Sequence, residues 1–160
     1  DAGVTINNLI DSYSSIDFFF LRCVDKRGNL IGSSPVERLI TLNVILNEGL
    51  SGECLPLIKR EVMLLHPYND FLRGCETTAY YSMLNSGYRC FQSDKVARIC
   101  ETNSGDRLSN RINVLKRSDR LAIYYKQKIK FFKQLTLKQS LVTALKFSVY
   151  FCISIMVSKK

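Results

Sequence analysis

Phe147-Ser148-Val149-Tyr150-Phe151-Cys152-Ile153-Ser154-Ile155-Met156-Val157-Ser158 is the stretch on which the fold turns. Phe147, Val149, Phe151, Ile153, Ile155 and Val157 alternate with Ser148, Tyr150, Cys152, Ser154, Met156 and Ser158. A strict period of two gives a pleated strand one fully apolar face, so the pattern predicts a C-terminal strand. Just upstream, Thr136-Leu137-Lys138-Gln139 has the form of a capping box and opens a short helix to about Lys146.

Further upstream the pattern is helical. Leu108, Ile112 and Leu115 recur at spacings of four and three, and Leu121, Tyr125, Ile129 and Phe132 continue one face. Ser118-Asp119 interrupts the run and can cap its second half. Asn103-Ser104-Gly105-Asp106 is the strongest loop in the chain and the expected seam between two compositionally different parts.

Toward the N-terminus, Phe18-Phe19-Phe20-Leu21-Arg22-Cys23-Val24 is apolar and β-prone, and Asp25-Lys26-Arg27-Gly28 comes directly after it. A β-hairpin over 18–32 is expected, with Gly28 in the left-handed position. Ser34-Pro35-Val36-Glu37 sets Ser at an N-cap, Pro at the first helical position and Glu three after the cap. It predicts a largely buried helix through Val36, Leu39, Ile40 and Leu46, ended by Gly49. Further helices are expected over Pro56–His66 and Glu76–Asn85, and short strands over 88–91 and 95–100.

Together these elements describe a single α+β domain over residues 1–160. An N-terminal β-hairpin precedes a helical middle and basic helices, and a C-terminal strand completes a small antiparallel sheet. That last strand is expected beside Phe18–Val24, tying the chain ends together. The 160 residues suffice for a hydrophobic core without staples, and 46% hydrophobic with 23% charged residues excludes a disordered chain. A start at Asp1 rather than Met reads as a processed or trimmed terminus, and residues 1–20 carry no signal-peptide pattern.

Charge is the informative quantity. Residues 1–106 hold ten Lys/Arg against thirteen Asp/Glu, a net of −3. Residues 107–160 hold thirteen Lys/Arg against the single acid Asp119, a net of +12. An acidic part over 1–105 is thus joined to a basic part over 106–160, an asymmetry that calls for an acidic partner. The expected polyanion site is Arg107, Arg111, Lys116, Arg117, Arg120, Tyr124, Lys126, Lys128, Lys130 and Lys133 on one or two helices. Cations neutralise phosphates, and interleaved Tyr124, Tyr125, Phe131 and Phe132 can stack on bases. The leading expectation is a non-enzymatic protein that binds nucleic acid. The bland alternative is a solvated helix whose aromatics are core.

Two further readings stay open. Six cysteines, with Cys54, Cys75, Cys90 and Cys100 as the candidate disulfide set, allow a secreted or viral-type protein-interaction module, whose partner is another protein or a second copy. Reduced, buried thiols in an intracellular protein are favoured over that framework. Residues 137–160 allow peripheral membrane contact, since the uncharged run 147–158 lies between Lys146 and Lys159-Lys160 but is too short to span. No metal site is expected, because Cys54, His66, Cys75, Cys90 and Cys100 match no ligand spacing. No cofactor loop and no catalytic motif are present, and His66, the one histidine, suits a helix end before Pro67.

Overall fold

The seven residues of β1 (Phe18–Val24) are buried without exception. A strand covered on both faces must sit inside a sheet, and such strands read as continuous apolar runs. β1 does so between β3 (Cys54–Ile58), to which it is antiparallel, and β4 (Cys90–Ile99), to which it is parallel. β2 (Arg38–Ile40) pairs antiparallel with β4, giving the order β2-β4-β1-β3. The structure is a computed structural model describing residues 2–32, 37–50, 52, 54–101 and 116–158. Its class is mixed α+β, as the sequence implied, with six α-helices among the described residues: α1 (Ala2–Ser12), α2 (Leu42–Asn47), α3 (Arg60–Leu65), α4 (Thr77–Asn85), α5 (Ser118–Ile129) and α6 (Leu137–Ser158).

Backbone contacts group the chain into two compact units. The first comprises 1–67 and 82–103, the second 68–81 and 104–160. In the first unit, Leu9 and Ile16 join Phe19, Leu21 and Phe91 in a core on one face of the sheet, flanked by Ile6, Leu55, Leu57 and Ala97. Phe18 and Phe20 meet edge to face at 5.8 Å and are also shut away from water.

In the second unit, Leu72, Cys75, Tyr80 and Tyr81 supply the buried apolar groups, with Ala122 from α5. Tyr81 and Tyr124 share a hydroxyl–hydroxyl hydrogen bond of 3.0 Å, and the Phe131 ring stands edge-on to Tyr81. Arg117 donates to the Arg73 carbonyl, and the Arg120 guanidinium lies 5.6 Å from the centroid of Phe71.

Several local expectations are corrected. The C-terminal strand is a helix: Leu137–Ser158 forms α6 over 22 residues. Thr136 opens it as anticipated, its hydroxyl accepting from the Gln139 amide, and neither Gly nor Pro interrupts the chain from there to Ser158. Cooperative propagation from that cap overrides the period of two. The partners of β1 are therefore β3 and β4, and the sheet is mixed rather than antiparallel.

The helix expected from Ser34 is a strand and then a shorter helix. Ser34, Pro35 and Val36 lie outside the described residues; beyond them Ile40 pairs with Cys90, and Thr41 rather than Ser34 caps α2, accepting from the Val44 amide at 3.2 Å. Pro56 starts no helix: it sits mid-strand in β3, an edge position where a missing N–H costs nothing. The two short strands over 88–100 are one, β4. The hairpin over 18–32 keeps its loop but loses its second strand, reduced to a single Val24–Leu30 bridge. Gly28 (φ 83°) supplies the left-handed residue, and the Asp25 carboxylate accepts from the Arg27 and Asn29 amides. Those bonds, that to the Asn29 side chain foremost, hold Asp25 below the usual carboxylate range.

Candidate functional site: the basic helical hairpin

α5 and α6 form an antiparallel hairpin. Tyr125 stacks on Tyr150 with centroids 5.7 Å apart and planes 4° from parallel, and Lys146 reaches over the Tyr125 ring at 5.6 Å. Lys128 feels Lys146 as a like charge; burial first, and that repulsion second, lower its pKa. With 125 opposite 150 and 128 beside 146, α5 runs along the C-terminal half of α6. The two helices join through a 3-10 turn at Phe132–Gln134.

The predicted site residues divide into three groups. Arg107 and Arg111 lie outside the described residues. Arg117, Arg120 and Tyr124 face inward, on the Arg73 carbonyl, the Phe71 ring and the Tyr81 hydroxyl. Burial raises the pKa of Tyr124 and carries that of Tyr81 higher still. Lys116, Lys126, Lys130 and Lys133 are exposed, while Lys128 is half-buried beside Lys146. The aromatics expected to stack on bases are mostly committed elsewhere: Tyr125 to Tyr150, Phe131 to Tyr81. Phe132, 61% exposed, stays on the surface.

α6 shows what sequence reasoning missed. Its inward row is Ser140, Thr143, Phe147, Tyr150 and Ser154, at spacings of three and four, with Ser140 and Thr143 buried and the rest half-buried. The opposite row is Leu141, Leu145, Val149, Cys152 and Met156, all exposed. The inward row is thus mostly polar and the outward row apolar, the reverse of a helix folded against an aqueous surface. Leu141, Leu145 and Met156 are 64%, 66% and 62% exposed. Leu137–Val157 is long and apolar enough to cross a bilayer, and only 11% of its most apolar window is buried. Extended back to Leu137, the apolar run takes in Lys138 and Lys146, and it reads as one long apolar element only when a helix rather than a strand is assumed.

None of the six cysteines is joined in a disulfide. Cys54 and Cys90 stand on β3 and β4 with β1 between them and out of step along it, Cys54 opposite Arg22 and Cys90 opposite Phe18, beyond the reach of a disulfide. Cys75 and Cys100 are buried, and burial raises the Cys75 and Cys90 thiols above their ordinary pKa. His66 ends α3 as anticipated, while its Nδ1 lies 2.8 Å from the Ser82 hydroxyl and its ring meets Tyr88 edge-on. That pair ties α3 to α4. No three His, Cys, Asp or Glu side chains gather in ligating reach among the described residues. No family model, no curated protein and no solved structure matches this chain.

Proposed function

We propose that the protein is a binding protein that attaches to a membrane surface through its α5–α6 hairpin. The inverted burial of α6 carries this reading. Leu137, Leu141, Leu145, Val149, Phe151, Ile155, Met156 and Val157 all face solvent. At about 1.5–3 kcal/mol for each side chain fully buried, and roughly half of each exposed, covering them yields on the order of 10 kcal/mol before costs. A lipid interface provides that cover without demanding a shaped partner.

The hairpin lies on the membrane rather than across it. α5 accompanies the uncharged half of α6, so a spanning α6 would carry Arg120, Lys126 and Lys128 into hydrocarbon along with its own Lys146. Each such charge costs about 2.5–3.5 kcal/mol at the bilayer centre on insertion scales, roughly 10 kcal/mol for four. That sum cancels the apolar gain, whereas at the interface the lysines stay in water.

Lys116, Lys126, Lys130 and Lys133 also support the nucleic-acid reading, which loses force because most of the neighbouring rings pack internally. Flotation separates the two. Mixed with anionic vesicles, the intact chain is expected to rise with the lipid, and the Leu137→Glu/Leu141→Glu variant to stay behind. Both positions are exposed, so the variant keeps its fold, checked by circular dichroism. An intact chain that remains at the bottom, yet binds single-stranded RNA, overturns the membrane reading in favour of nucleic acid.

A further inference from the structure

At about 100° per residue, Ile123, Lys126 and Lys130 share one flank of α5, a quarter turn from the row that meets α6. Leu137, Leu141, Phe151 and Ile155 share a flank of α6, likewise a quarter turn from its inward row. In this antiparallel pair the two flanks lie on the same side of the hairpin. Lys128 and Lys146 fix the sense: each sits a quarter turn the other way, and they are neighbours on the opposite side. Every residue named on the first flank is exposed. One acid, Asp119, shares it, about 10 Å along α5 from Lys126 at 1.5 Å per residue. Within the described residues from 120 onward there is no other acid, only lysines and Arg120.

We infer that this flank is the membrane-docking face and that its ligand is the anionic headgroup layer. Leu137, Leu141, Phe151 and Ile155 enter the interface while Lys126 and Lys130 meet lipid phosphates beside them. The inference rests on the membrane reading and adds to it a lipid class and an orientation. Neither chemistry suffices alone: lysines without apolar cover bind any polyanion, and the apolar row without lysines is indifferent to headgroup charge. Their coincidence on one flank selects a surface offering both.

The test is vesicle co-sedimentation of the full chain at physiological salt, with phosphatidylcholine vesicles and with vesicles containing phosphatidylserine. Affinity is expected to be at least tenfold greater for the anionic set. Lys126→Gln/Lys130→Gln should lower binding to anionic vesicles about 25-fold, at about fivefold for each lysine near the surface. Lys146→Gln should lower it no more than about twofold, since a helix diameter of about 10 Å sets that charge beyond the Debye length of ~8 Å. Equal losses from the two variants, or no loss from the double one, would overturn the assigned face. Equal binding to both vesicle types would overturn the lipid class and leave membrane attachment standing. Absence of binding to either would remove the inference and the membrane reading together.

Discussion

β1 and α6 are the two most apolar stretches of the chain, and they meet opposite fates. Phe18–Val24 is flanked by strands on both sides and is buried at all seven positions. Leu137–Ser158 turns its Ser140, Thr143, Tyr150 and Ser154 row, with Phe147, inward and leaves its leucines outside. Apolarity therefore specifies that a segment needs cover, not what supplies it. β1 is covered by its own chain. For α6 the proposed cover is a lipid surface.

The largest expected effect lies in β1. Phe20→Ala removes a fully buried ring and should cost about 3–5 kcal/mol in chemical denaturation. A cost below about 1 kcal/mol would break the contrast, because β1 would then be no better covered than α6. A smaller effect tests the tyrosine cluster of the second unit. Burial, then the neighbouring Tyr150, pushes Tyr125 up to about 12, and burial also raises Tyr81 and Tyr124. Unfolded tyrosines ionise near pH 10. Between that value and their folded pKa values the unfolded state has lost protons that the native state keeps, so stability is complete below pH 10 and falls as pH rises. The slope is at most about 1.4 kcal/mol per pH unit for each tyrosine. Denaturation midpoints at pH 9 and pH 11 measure it, and Tyr125→Phe should flatten it. A midpoint unchanged across that range would mean these hydroxyls are wet.

Much of the fold is legible from residue chemistry. The mixed class, the seven-residue strand at Phe18, the Gly28 turn, α4 and the Thr136 cap arise from local signals strong enough to survive folding. The corrections share one cause. Ser34-Pro35 and the 147–158 alternation are local patterns, while Ile40 answers to its pairing with Cys90 and residues 147–158 to a helix already nucleated at Thr136. β-branched residues and serines alternate in either geometry, so only the presence of a strand partner could decide, and β1 already has two. The basic stretch is visible in the sequence as charge. Its division into inward Arg117, Arg120 and Tyr124 and outward Lys126, Lys130 and Lys133 is not, because that depends on the Arg73 carbonyl, the Phe71 ring and the Tyr81 hydroxyl.

The smallest expected change in stability sharpens the comparison most. Leu141 is 64% exposed, so Leu141→Ala deletes little native packing and introduces the best helix former. Its folding stability in water should stay within about 0.5 kcal/mol of the original. The same truncation removes apolar surface from the outward row. At about 0.8 kcal/mol for each buried methylene equivalent, partly immersed, it should weaken binding to anionic vesicles roughly tenfold. The two readouts must separate. A leucine whose loss destabilises the fold by about 2 kcal/mol or more is core, covered by a neighbour within the protein, and α6 would then resemble β1 after all. A leucine silent in both measurements would mean that the outward row touches nothing, and the cover α6 requires would have to lie elsewhere along its exposed arc.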